Sequence, residues 1–132
     1  MSFDGTLPGP AQIEELTKRP ISAGNNTDFP ANGAMIEMHY TGCLYDPNAP
    51  NYMGKKFDSS YDRGSPLASK IGVGRLIKGW DVGVPQMSLG EKAYLLIPYM
   101  DAYGERGYPP IIPPKSDLVF QVELVSISGK RA

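Results

Sequence analysis

Apolar and polar positions alternate most cleanly in two stretches of this 132-residue chain. In GAMIEMHY, Ile36, Met38 and Tyr40 fall on one face and Glu37 and His39 on the other, the two-residue period of a half-buried strand. In DLVFQVELVSI, Leu118, Phe120, Val122 and Leu124 share a face, while Val119, Val125 and Ile127 make the second face apolar enough to be partly covered. LASKIG and EKAYLLIP read as further strands, the latter ended by Pro98. Only Ile77 to about Ser88 has the length and spacing of a helix, and its glycines and Pro85 keep it short. A helix of that length is marginal alone, so Trp80 is expected to anchor it against the sheet. These elements predict an α+β architecture, an antiparallel sheet with one short helix.

The segments between them are dense in turn residues. Fifteen Gly and thirteen Pro are spread between apolar runs rather than gathered into a low-complexity tract, which favours a turn-rich β protein over disorder. The stretch from Pro20 to Pro30 reads as turns, and LYDPNAPNYMG, Leu44 to Gly54, as a long loop. DAYGERGYPPIIPP is expected to be irregular, because its prolines fix φ and remove donors. Residues 1–15 read as a loosely held extension ahead of one domain, 16–132, with a longer loop at 45–54.

Charge and composition narrow the function. A net charge of −1, with the basic residues scattered, gives no pull towards nucleic acid or an acidic membrane surface. No run approaches the ~20 apolar residues that span a bilayer. The first residues have neither the cationic start nor the apolar run of a secretory signal. The expectation is a soluble intracellular protein, cytoplasmic, with the nucleus as an additional compartment. Cys43 is the lone cysteine and His39 the lone histidine, so neither a disulfide nor a zinc site is expected, and no cofactor.

The same scarcity weighs against bond-breaking chemistry. A nucleophile would need a base, and His39, on the wetter face of its strand, is the sole histidine on offer. Asp58 and Asp62 in FDSSYD resemble a carboxylate pair, but the adjacent Arg63 favours an ion pair or turn cap. GVGRLIKG has the glycines of a phosphate loop without its spacing. What remains is aromatic and aliphatic: Tyr40, Phe57, Ile77, Trp80, Tyr103, Tyr108, Ile111, Ile112 and Phe120. These could line one concave apolar pocket or simply form the core. Periodicity alone leaves both readings open.

Longer motifs, taken in order, resemble one known family. HYTG (39–42), FDSS (57–60), IKGWDVGVPQMSLGEKA (77–93), AYGERGYPPIIPP (102–114) and LVFQVELV (118–125) are similar to the FKBP family, the tacrolimus-binding peptidyl-prolyl cis/trans isomerases. The resemblance runs from about Ile21 to Ile127 and is to the small single-domain members. It implies a five-stranded antiparallel sheet wrapped around the short helix, with a pocket between them. The implied binding positions are Tyr40, Phe57, Asp58, Leu67, Leu76, Ile77, Trp80, Tyr103, Tyr108, Ile111, Ile112 and Phe120, with Tyr40, Asp58, Trp80, Tyr103 and Phe120 serving catalysis. Trp80 would floor the pocket under a proline ring. The Ile77 N–H and the Tyr103 hydroxyl would donate to ligand carbonyls, and Asp58, steadied by Tyr40 and Arg63, would accept from a drug hydroxyl. Leu67 and Ser69 stand where aromatics are frequent in the family, which thins the aromatic lining.

The implied activity is rotation about X–Pro bonds in peptides and protein clients, with binding of tacrolimus and rapamycin and drug-dependent docking to calcineurin or TOR kinase. A proline-peptide binding module or chaperone with incidental isomerase activity is the alternative. The chain is expected to be monomeric, with weak self-association through Pro109 and Pro110 as a further expectation, since their loop offers an X–Pro segment to a second copy.

Overall fold

The computed structural model describes residues 9–132. One antiparallel sheet dominates it. Its strands are β1 (Thr17–Ser22), β2 (Met35–Tyr45), β3 (Met53–Ser59), β4 (Leu67–Lys70), β5 (Lys92–Ile97), β6 (Leu118–Ile127) and β7 (Lys130–Arg131). The order is β1-β5-β6-β2-β3, with β4 also on β2 and β7 on the end of β6. β3 pairs with Thr41–Tyr45 of β2 while β4 pairs with its Met35–Met38, so the two share one edge position. The sheet is therefore five strands wide, as the resemblance implied, with β7 a two-residue addition.

Two short helices interrupt this pattern. α1 (Ser60–Arg63) is a single turn between β3 and β4. The Ser59 hydroxyl accepts from the Tyr61 N–H at its start, and Gly64 ends it at φ 76°, a left-handed cap. α2 (Lys78–Gly83), extended by a 3₁₀ turn at Val84–Gln86, is the predicted helix. Its glycines let it lie close to the sheet. A Cβ at Gly79 would sit 2.5 Å from Ile97, and one at Gly83 would sit 3.1 Å from Leu95, both on β5. A side chain at Gly79 would force Ile97 or the helix to shift, and one at Gly83 would need Leu95 to give by a few tenths of an ångström.

The alternation in β2 and β6 is realised as expected. Ile36, Met38 and Tyr40 are buried together with Leu118, Phe120, Val122 and Leu124, and α2 closes that face with Trp80 and Val84. Val119, on the other face of β6, belongs to a second cluster with Ile13, Tyr52 and Leu96. The sheet is thus covered on both faces.

Three stretches differ from the sequence reading. Pro20 lies within β1 rather than in a turn; β1 is an edge strand, where a missing N–H need break no ladder bond, and the register slips between Pro20 and Ser22. The loop expected at 44–54 is shorter, because β2 runs to Tyr45 and β3 starts at Met53. Between them the Asp46 N–H donates to the Tyr52 carbonyl, and Asn51 and Tyr52 turn the chain at φ 55° and 60°. The expected loose extension falls partly on residues 1–8, outside the described residues. From Gly9 onward the segment is pinned. The Gly9 N–H donates to the Pro47 carbonyl (2.8 Å), the Tyr45 hydroxyl to the Pro10 carbonyl (2.6 Å), and the Ile13 N–H to Asp117 (2.8 Å). No helix among the described residues is long and apolar enough to cross a membrane.

Candidate functional site

Between α2 and the inner face of the sheet lies a cavity of about 370 Å³. Its wall is formed by Tyr40, Phe57, Asp58, Arg75, Leu76, Ile77, Trp80, Tyr103 and Phe120. Tyr40 and Phe120 come from the inward positions of β2 and β6, Phe57 and Asp58 from the end of β3, and Trp80 from α2. Gly42 makes room for the aromatics, since a Cβ there would lie 2.6 Å from Phe120 and 2.9 Å from Phe57.

Trp80 is the hub of this wall. Its ring meets Tyr40 at 4.9 Å and Phe120 at 4.8 Å between centroids, both edge-on, and Phe120 meets Phe57 edge-on at 5.7 Å. Edge-to-face packing of this kind fixes ring orientation and is worth about 0.5–1.5 kcal/mol per pair beyond burial. The indole N–H is buried with no hydrogen-bond partner among the described residues.

Polar groups sit at the edge of the wall in two kinds. The first are tied together. The Tyr40 hydroxyl donates to Asp58 (2.5 Å), Arg63 donates to the other Asp58 oxygen (2.7 Å), and Arg63 also donates to the Tyr40 hydroxyl (2.8 Å). The guanidinium lies 5.4 Å from the Tyr40 ring centre, which adds a cation–π contact. This closed triangle fixes the Asp58 carboxylate. Burial, and then the hydrogen bond to Asp58, push the Tyr40 phenol up; the hydrogen bond to Tyr40 pushes the Arg63 guanidinium up. The hydroxyl therefore stays protonated and keeps donating. Asp62, the other half of the apparent carboxylate pair, instead faces Lys56 at 3.0 Å.

The second kind is unspent. Neither the Ile77 N–H nor the Tyr103 hydroxyl has a hydrogen-bond partner among the described residues. Burial, followed by the negative charge of Asp58, raises the Tyr103 phenol, so it too remains a donor. Ile77 is held in place from behind. The Gly72 and Gly74 N–H groups donate to the two oxygens of Asp81 at 2.8 and 2.9 Å, clamping the loop that leads into α2.

Not every expected residue reaches the cavity. Leu67 packs from β4 against the core, opposite Met38. Ile112 is buried in the same core, while Tyr108 and Ile111 are exposed, 58% and 50% respectively. The loop closes on itself, with Tyr108 and Ile112 exchanging backbone hydrogen bonds of 2.8 and 2.9 Å, and Tyr108 reaches the site only through Tyr103, at 5.7 Å between rings. Arg75 is the reverse case, a wall residue that the sequence reading did not single out. An arginine in a glycine-rich loop carries no periodic signal. His39 lies outside the site: its Nδ1 is 2.8 Å from the Ser60 hydroxyl and its ring stacks on Tyr61 at 4.6 Å, which secures α1 to β2.

The family described as FKBP-type peptidyl-prolyl cis-trans isomerase matches residues 26–125. The chain is 57% identical over 117 residues to a protein of Schizosaccharomyces pombe named peptidyl-prolyl cis-trans isomerase, covering 89% of this chain and 98% of the relative. It is 55% identical over 117 residues to FK506-binding protein 1A of Aspergillus fumigatus, again covering 89% and 98%. FK506-binding protein 1 of Saccharomyces cerevisiae is 54% identical over 108 residues, covering 82% and 89%.

Proposed function

The chain belongs to the FKBP-type peptidyl-prolyl cis-trans isomerases, and from that premise we propose that the aromatic cavity is where it turns X–Pro bonds and binds tacrolimus and rapamycin. The observation that carries this reading is the pairing of an apolar floor with unspent donors. Trp80, Tyr40, Phe57 and Phe120 offer a surface for a proline ring, and the Ile77 N–H and Tyr103 hydroxyl stand ready beside it.

The chemistry needs no nucleophile. Rotation about an X–Pro bond breaks no covalent bond and has only to lose amide resonance. That barrier is roughly 18–20 kcal/mol, which leaves uncatalysed isomerisation at tens to hundreds of seconds. The planar amide is more polar than the twisted one. A wall of aromatic rings, poor in water, destabilises the planar form relative to the twisted one. A carbonyl held by the Ile77 N–H fixes one side of the bond while the other side turns. Only interactions stronger in the twisted state raise the rate, so the rigidity of the wall matters more than its affinity for the ground state. The Tyr40–Asp58–Arg63 triangle supplies rigidity on one side and the Asp81 clamp on the other.

Tacrolimus and rapamycin would occupy the same floor, with a carbonyl on the Ile77 N–H and a hydroxyl on Asp58. The names of the Aspergillus fumigatus and Saccharomyces cerevisiae relatives, both FK506-binding proteins, support the tacrolimus part of that assignment. The drug-loaded protein would then present a composite surface to calcineurin or TOR kinase, which drug-dependent capture of either purified enzyme tests. For the isomerase itself, the test is a coupled assay on Phe-Pro and Leu-Pro tetrapeptides with and without tacrolimus. Acceleration that the drug abolishes is expected. Drug binding without acceleration would instead make the protein a proline-binding module.

A further inference from the structure

We propose that Arg75 is a specificity-determining residue that selects substrates with an acidic side chain directly after the proline. This rests on the isomerase reading of the cavity given above. Arg75 lines the cavity beside Leu76 and Ile77 and is exposed at its rim. Its backbone position is fixed by its neighbours. Gly72 and Gly74 both sit at φ 80°, where a side chain would be strained, and both donate to Asp81. The guanidinium is therefore an exposed head on a clamped base.

The acidic groups of the wall and of α2 are already engaged. Asp58 is paired with Arg63 at 2.7 Å, Lys78 faces Asp101 at 3.8 Å, and Asp81 is capped by the two glycine N–H groups. Arg75 has neither an ion pair nor a hydrogen bond with any described residue. Among the described wall residues Arg75 is thus the charged side chain without an ionic partner, while Asp81 behind it keeps its charge but spends both oxygens on backbone donors. A planar fork of five N–H donors is suited to a carboxylate.

Geometry points to the position. Arg75, Leu76 and Ile77 are consecutive wall residues, so the Arg75 side chain and the Ile77 N–H lie two residues apart on one edge of the cavity. A substrate whose proline carbonyl accepts from the Ile77 N–H presents its next side chain along that edge, within the reach of an arginine. An acidic group there gains a rim ion pair, and a basic one meets repulsion.

The test compares peptides of the form Ala-Ala-Phe-Pro-Zaa-Ala, with Zaa as Glu, Gln or Lys, by NMR exchange in roughly 20 mM salt, where surface charges are weakly screened. The wild type is expected to favour Glu over Lys by about two- to five-fold in kcat/KM, the range of an exposed pair. Arg75→Gln should bring the ratio close to one, and Arg75→Glu should invert it. Raising the salt to about 0.5 M should shrink the wild-type ratio. A wild-type ratio of one, or a ratio that survives Arg75→Gln, overturns the proposal. Absence of acceleration for all three peptides overturns the isomerase reading instead, so the two failures are distinguishable.

Discussion

Each face of the sheet carries an apolar hollow, and the two are nearly the same size. The hollow on the inner face is about 370 Å³; the one on the outer face is about 390 Å³ and is lined by Ile13, Tyr45, Tyr52 and Leu96 with Pro10 and neighbouring residues. Both contain tyrosines, and both lie beside a buried cluster. They differ in where their polar groups are spent. On the outer face, the Tyr45 hydroxyl donates to the Pro10 carbonyl and Asp117 accepts from Ile13, so the polar groups fasten the N-terminal segment to the sheet. On the inner face, one triangle of groups is spent on holding Asp58 still, and the donors beside it, Ile77 N–H and Tyr103 hydroxyl, are left for a guest. Volume and aromatic content do not separate a binding site from a structural seam. The cluster of edge-packed rings around Trp80 does, because the outer hollow is lined instead by Gln12, Glu14, Glu15, Thr17 and Arg19 beside its tyrosines.

The largest effect should come from breaking the outer face. Leu96 is 6% exposed in the outer cluster, and Leu96→Ala is expected to lower stability by about 2–5 kcal/mol. Denaturant melts should show that loss, while kcat/KM per folded molecule stays at the wild-type value. A parallel fall in kcat/KM would mean that the two faces are not independent. Gly79→Ala sharpens the comparison from the other side. Its new Cβ would meet Ile97 at 2.5 Å and lift α2, at a cost of about 1–3 kcal/mol. Here tacrolimus affinity, measured by calorimetry, should fall together with stability, because the same helix carries Trp80.

Asp58→Asn separates site from scaffold more finely. The Asp58 and Arg63 side chains are 42% and 46% exposed, so the pair should contribute no more than about 1 kcal/mol to stability. Tacrolimus affinity should nonetheless drop about tenfold, close to the value of one hydrogen bond to a charged acceptor. Equal affinity for the two proteins would remove Asp58 from the site.

The smallest effect is on pH dependence. The Tyr40 phenol, raised first by burial and then by its bond to Asp58, holds its proton more tightly when folded than when unfolded. Its contribution is therefore intact below the ordinary tyrosine value of about 10 and is lost as pH climbs through the higher folded one. Melts of wild type and Tyr40→Phe should converge as pH rises above about 10. Curves that stay parallel would show that the hydroxyl is not held as described.

How much of this was legible beforehand follows the same division. β2 and β6 announce themselves, because each buries alternate residues on the inner face, and those inward residues deliver Tyr40 and Phe120 to the site. Trp80 was legible as an anchor from its place in a helix too short to stand alone, and the family motifs turned that anchor into a floor. β1 was hidden by Pro20, which reads as a turn but is tolerated on an edge strand. β3 was hidden because MGKKFDS is only partly buried and lacks a clean two-residue period. The docking of residues 9–16 depends on Asp117, about a hundred positions away, and no local pattern reports such a contact. Arg75 escaped for a similar reason: its position is set by Asp81 catching two glycine N–H groups, a tertiary event.

The most direct test of the central claim is NMR exchange spectroscopy on a Phe-Pro peptide with catalytic amounts of the protein, which reads rotation about the bond without a coupling protease. Exchange between the cis and trans signals should accelerate with wild type, slow by at least about tenfold with Trp80→Leu at equal folded concentration, and return to the uncatalysed rate with one equivalent of tacrolimus. Exchange that Trp80→Leu leaves as fast as the wild type, or that tacrolimus does not suppress, would contradict the assignment of catalysis to this cavity.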